Sequence, residues 1–294
     1  MKKIVFFNHA NMGDVFLSRP FVSEIIDKYD VEIEYAHKYG EYFLKDLNIK
    51  YIPINELSNI DKLKKFYLID NVVYINTWIG CYFDSSKPFN GQCNLNSIYH
   101  LIYSEVFSHI SNLFDEQITL NQILNYFPTV DYSYFNTDGV NDFLKFNKYK
   151  KTILICNGPA LSGQCDYNGN LEEIIYNLVN KYGDYCFITT DRLNFAFDNL
   201  KYTGDITKVD GTDIIEISYL SKFCDLIVGR SSGPFTLSNL KENIFDENKT
   251  FLCFGQRETD CLPHNSDINC SFIFECFSSI QNLENTIMET LEEI

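Results

Sequence analysis

Leu226–Ile227–Val228–Gly229–Arg230–Ser231–Ser232–Gly233–Pro234 is the stretch that decides the fold. Three apolar residues of high strand propensity run into a turn of small and polar residues, and a proline stands where the next helix would begin. An unbroken apolar run suits a strand buried on both faces of a parallel sheet. Proline is well tolerated in the first turn of a helix. Backbone N–H groups and the hydroxyls of Ser231 and Ser232 offer an anion a cradle there, and Gly233 permits close approach. A plain capped strand-to-helix turn has the same composition, so both readings stand at this point.

Outward from that stretch the same grammar of strand, polar turn and helix repeats. A helix is expected over 213–222 before it, and a strand over 250–254 and an acidic amphipathic helix over 280–291 after it. Residues 152–156 form an earlier strand, ending in Asn157–Gly158–Pro159–Ala160–Leu161–Ser162–Gly163, with a helix over 171–181 and a strand over 185–189. The N-terminal half opens on a strand over 3–7 and the polar segment from Asn8 to Asp14. A helix follows over 15–26, in which Pro20 must introduce a kink or begin the regular part. Strands over 31–35, 50–54 and 72–75, a short helix over 39–47 and a helix over 98–113 complete that half; 77–96 reads as loop and 114–136 stays unassigned. Alternating strands and helices imply parallel sheets with crossover connections. The expected class is α/β: two Rossmann-like domains, 1–147 and 148–294, facing across a cleft where strand C-termini meet their ligands.

The chain has 294 residues and a formal charge of −16, and four of its 24 basic residues are arginine: Arg19, Arg192, Arg230 and Arg257. Such acidity argues against nucleic acid and against anionic membranes as partners. No run approaches the length of a membrane span. The ten cysteines show no CxxC pair, which suits buried thiols in a reducing cytoplasm. An Arg retained in so Lys-biased a sequence marks a place that needs a planar donor for carboxylate or phosphate.

Several motifs then coincide. Gly13–Asp14 follows the first strand, with Pro20 behind it; Gly211–Thr212 and Glu216 precede Ser232–Gly233–Pro234; Phe254–Gly255 ends a later strand. In these the sequence resembles the heptosyltransferase-like glycosyltransferases, family 9 of the GT-B class. The resemblance implies a sugar transferred from a nucleotide-sugar donor to a glycan or other hydroxyl acceptor, with inversion and Asp14 as base. The donor-site candidates are Asn157, Gly158, Ser162, Gln164, Glu216, Arg230, Ser231, Ser232, Gly233, Pro234, Thr236 and Arg257, of which Glu216, Ser232, Gly233 and Pro234 carry the resemblance and the two arginines offer a local positive charge. His9, Asn11, Gly13 and Trp78 are the acceptor-side candidates. Ser231 stands where the family has Asp, Thr236 where it has His, and the family's phosphate-binding Lys has no clear counterpart.

The chemistry fits those residue types. A base must take the acceptor's hydroxyl proton, and a carboxylate at a strand end suits this if its pKa is matched; an Asp before an apolar series is also a common helix cap. Arg230 or Arg257 would stabilise a departing diphosphate. No Asp-x-Asp triplet occurs, which favours a reaction without metal, and no cofactor is expected. GxGxxG, GxxxxGK[ST] and GxSxG are missing, against dehydrogenase, NTPase and hydrolase readings. Two alternatives remain open: a degenerate relative that binds nucleotide or glycan without catalysis, and a nucleotide-sugar epimerase.

Overall fold

A computed structural model describes residues 3–57, 60–82, 98–114, 127–160, 169–230, 232–254, 268–275 and 280–294. The chain divides into two compact units, the first running to Tyr134 and the second beginning at Phe135. The helix Asp138–Phe146 therefore goes with the second unit.

In the first unit β1 (Lys3–Phe7), β2 (Glu32–His37), β3 (Lys50–Pro53), β4 (Phe66–Ile69) and β5 (Val72–Asn76) form one sheet in the order β3-β2-β1-β5-β4. All pairs are parallel except β4 with β5. Ile4 to Phe7 are fully buried, as a central strand covered on both faces requires. β1 pairs Phe7 with Ala36 on one side and Asn76 on the other, so Asn8, His37 and Thr77 emerge along one edge. The β4–β5 hairpin, which the sequence reading left out, closes through Asp70 and Asn71 at φ +48° and +65°. Two left-handed central residues make the turn whose twist matches paired strands.

The helix expected over 15–26 is two helices, Met12–Leu17 and Arg19–Lys28, broken at Ser18. Pro20 sits in the first turn of the second, where its missing N–H costs nothing. Buried Arg19 pins this break: its guanidinium pairs with Asp46 and donates to Thr129 O (3.0 Å) and Phe43 O (3.4 Å). Residues 41–47 form a 3₁₀ segment rather than an α-helix.

The second unit holds β6 (Lys151–Cys156), β7 (Tyr185–Thr189), β8 (Leu200–Tyr202), β9 (Leu226–Gly229), β10 (Thr250–Phe254) and β11 (Ser271–Glu275). All are parallel, in the order β11-β10-β9-β6-β7-β8. That is the doubly wound order, with its reversal between β6 and β9. Helix Glu172–Lys181 covers the sheet with Ile174, Ile175 and Leu178. Helix Ile280–Glu293 adds Leu283, Ile287 and Leu291, an i, i+4, i+8 stripe on one helical face. Lys249 is buried at the end of helix Ile214–Ser221, where its ammonium donates to Ser221 O (3.1 Å), Lys222 O (3.0 Å) and Cys224 O. Cations are favoured at helix C-termini, and burial holds this one below the usual lysine range.

Among the described residues six cysteines are free thiols, five of them buried. No described helix is long and apolar enough to cross a membrane.

Candidate functional site

The first group of candidate residues gathers at the C-terminal end of β1. Asn11 caps helix Met12–Leu17 by position, without a side-chain bond, and Gly13 and Asp14 lie in its first turn. Asp14 is thus the third helical residue rather than the cap, the place from which a carboxylate reaches back to the orphan N–H groups. Its carboxylate accepts from Ile79 N (3.4 Å), and the N–H groups of Asn11 and of Asp14 itself also favour its charge. Burial outweighs them and pushes the carboxyl up to about 7. It faces a small pocket lined by Leu17, Ser18, Phe21, Thr77, Ile79 and Ile102. Apolar walls around one ionisable group are the arrangement that raises a carboxylate toward neutral pH.

Beneath that pocket runs a buried polar chain invisible in the sequence. Asn8 Nδ2 donates to Thr77 Oγ1 (3.0 Å), Thr77 Oγ1 and Tyr35 Oη are 2.6 Å apart, and Tyr35 Oη lies 2.9 Å from Ser18 Oγ. Ser18 Oγ donates to Val15 O (2.7 Å). The chain ties the ends of β1, β2 and β5 to Ser18, at the end of the helix that carries Asp14. Every member has a partner, the condition under which buried polar groups rigidify a site.

His9 and Trp78 meet edge to face, ring centroids 4.7 Å apart. Burial, with Lys62 and Lys38 nearby, holds the His9 imidazole below its usual range, so it is neutral at pH 7. Trp78 lies over Gly80, where a Cβ would come 2.3 Å from its ring. Trp78 precedes Ile79, whose N–H reaches Asp14, so His9, Trp78 and Asp14 share one strand-end neighbourhood.

The second group sits at the reversal point of the other sheet, where Cys156 of β6 pairs with Gly229 of β9. Arg230 is completely buried. Its guanidinium donates to Asn157 O (3.2 Å), Gly158 O (3.1 Å) and Gly169 O and lies over the Phe254 ring at 5.2 Å. The Asn157 side chain turns the other way, donating to Asp191 O (3.1 Å) and accepting from Asp191 N (2.8 Å). Gly158 is crowded by the Asp191 carboxylate, 3.1 Å from where a Cβ would stand. Asn157, Gly158 and Arg230 therefore form one strut across three strand ends.

Ser232 occupies the cap position before Gly233–Leu237, and its buried hydroxyl finds no partner among the described residues. Pro234 lies in the first turn, Thr236 is buried, and Gly233 packs on Ile214, 3.0 Å from its would-be Cβ. Glu216 is completely buried in helix Ile214–Ser221. Ser162, Gln164, Ser231 and Arg257 lie outside the described residues. The base and acceptor-side candidates belong to the first unit, and the donor-side candidates to the second.

Solved structures share this architecture. Heptosyltransferase WaaC of E. coli with ADP matches with a TM-score of 0.54 and 9% identity, over 99% of each chain. The E. coli ADP-heptose lps heptosyltransferase II matches at 0.51 and 11%, over 100% of each. The fold is GT-B. UDP-GlcNAc 2-epimerase from Neisseria meningitidis, bound to UDP-GlcNAc, matches at 0.54 and 12%, over 99% of this chain and 91% of its own. No protein-family model matches the chain, and no curated protein matches it in sequence.

Proposed function

We propose that this GT-B protein is a glycosyltransferase, taking its sugar from a nucleotide-sugar donor held by the second unit. The acceptor, a glycan or other hydroxyl compound, binds the first unit. One observation carries the reading: a single carboxyl, Asp14, sits at the end of β1 with its pKa pushed up to about 7. A general base works best when its pKa lies near the working pH. Asp14 takes the acceptor proton as the acceptor oxygen attacks the anomeric carbon from the face opposite the departing diphosphate, so the anomeric configuration inverts.

Arg230 supplies a fixed positive charge near the leaving group while holding the carbonyls of Asn157, Gly158 and Gly169. A buried charge held in place costs no reorganisation when negative charge develops. The sequence lacks an Asp-x-Asp triplet, and transfer is expected to persist in excess EDTA.

The direct test is incubation of the full chain with ADP-, UDP- and GDP-sugars and a panel of glycan acceptors. Proton NMR of the product reports its anomeric configuration. Transfer by the wild type that is lost in Asp14→Asn, with nucleotide-sugar affinity unchanged, supports the reading. Full turnover by Asp14→Asn removes Asp14 from the mechanism. The similarity to the Neisseria meningitidis epimerase favours a second reading, nucleotide-sugar epimerisation, in which product forms with no acceptor present.

A further inference from the structure

The peptide that Asp14 reaches back to is itself anchored from beyond another strand. As the third residue of its helix, Asp14 turns toward the N–H of Asn11, the residue before the helix, and that N–H favours its charge. The N–H of Asn11 and the carbonyl of Ala10 belong to one planar peptide, so whatever fixes the carbonyl also aims the N–H. Tyr39, two residues past the end of β2, fixes it. Its hydroxyl donates to Ala10 O at 2.8 Å, and the Met12 N–H faces the same oxygen. On the other side of Ala10, its N–H donates to Asn8 Oδ1 (2.9 Å). Asn11 makes no side-chain bond to the helix it precedes, so Tyr39 holds the entry to that helix in its place.

Tyr39 is fixed in turn. Its backbone N–H donates to His37 Nδ1 (3.1 Å), its ring stacks on the His37 ring with centroids 6.1 Å apart, and the Phe43 ring packs at 5.9 Å. Lys38 Nζ stands 5.4 Å from the centroid of the Tyr39 ring. His37 is completely buried, and burial pushes its imidazole down to about 4, so Nδ1 stays an acceptor at neutral pH. Tyr35 of β2, Tyr39 and Cys81 beyond β5 feel the Asp14 charge; burial pushes all three up, so all are neutral at pH 7. Burial and hydrogen bonds therefore set how readily Asp14 ionises. We infer that Tyr39 is a positioning residue for Asp14, its hydroxyl fixing the Ala10–Asn11 peptide so that the Asn11 N–H faces the carboxylate. The assignment deepens the base role proposed above and rests on that reading for its effect on transfer.

Carbon-13 NMR of the full chain labelled at its aspartate carboxyls follows Asp14 directly, its line being the one missing from Asp14→Asn. Tyr39→Phe keeps the ring and removes the anchor, and the Asp14 titration midpoint is expected to rise by about one pH unit, the loss of one charge-assisted hydrogen bond. Tyr51→Phe is the control: it takes from the same aromatic cluster the hydroxyl that donates to His37 O (3.2 Å), and it should leave the midpoint in place. In the transfer assay, kcat/KM of Tyr39→Phe should fall about fivefold at pH 7 and return to the wild-type plateau at pH 9, since only the ionised fraction changes. A midpoint unmoved in Tyr39→Phe, or moved equally in Tyr51→Phe, overturns the assignment, and so does a loss of kcat/KM that persists at pH 9. A midpoint that moves in a protein that transfers no sugar upholds the role of Tyr39 and removes the transferase reading instead, so the two fail separately.

Discussion

Asp14 carries the clearest residue-scale consequence. Its folded pKa of about 7 exceeds the unfolded value of about 3.9, so the folded state binds the extra proton between those values. The contribution of Asp14 to stability is therefore fully present below pH 4, falls as pH rises through 4 to 7, and is level above. Asp14→Asn removes the ionisation. It should raise the melting temperature at pH 8, leave it nearly unchanged at pH 4, and abolish transfer at pH 8; a thermal melt at the two pH values checks the first part. In the wild type kcat/KM should rise with pH to a plateau above about 7, because the base must be ionised. Arg230 makes a contrasting case. Arg230→Met leaves the carbonyls of Asn157, Gly158 and Gly169 without their donor, an expected loss of about 3 kcal/mol in urea unfolding. Nucleotide affinity should fall with it, since the same carbonyls are released. A calorimetric titration showing unchanged affinity would detach Arg230 from the donor site.

Elements here are set by their ends. The hairpin β4–β5 turns on Asp70–Asn71, where both residues are left-handed and neither is glycine. A non-glycine residue in that region costs roughly 1–2 kcal/mol, least for Asn and Asp. Asn71→Gly should be neutral or stabilise by a few tenths of a kcal/mol, and Asn71→Val should destabilise by about 1–2 kcal/mol, both read from chemical melts. Gly229 marks the opposite constraint, that of close packing. A Cβ there would stand 2.7 Å from Cys156 Cβ and 3.0 Å from the Phe235 ring, pushing β9 from β6 at the reversal point. Gly229→Ala should cost about 1–3 kcal/mol, the range for overpacking a tight core.

At the scale of the whole molecule the chain has two separate sheets, each with its own core, so it need not unfold in one step. Asp14→Asn should shift only the first unit's transition and Arg230→Met only the second's, in urea melts followed by hydrogen exchange. A single transition moved equally by both variants would show the units to be one cooperative body.

How much of this the sequence determined differs by element. The buried parallel strands were legible because apolar runs ending in small or polar turns have few other uses: β1, β6, β7, β9 and β10 follow from composition alone. So does the doubly wound class. Three strands escaped. Phe66–Ile69 and Ser271–Glu275 are edge strands, half covered, and Leu200–Tyr202 has three residues, too short for a periodicity. Pairing with a neighbour decides such segments, and pairing is a long-range property. The candidate site divides the same way. Gly13–Asp14 and Arg230 could be picked out from the chain by type and position. Only the tertiary structure shows that Asp14 is walled by Phe21, Ile79 and Ile102, and that Arg230 spends its hydrogens on carbonyls. Tyr35, Ser18 and Thr77 carry no sequence signal, because each becomes a partner only when β1, β2 and β5 align their ends. Residue type and local order are written in the chain; a pKa, a buried hydrogen-bond chain and the walls of a recess depend on what folding brings within a few ångströms.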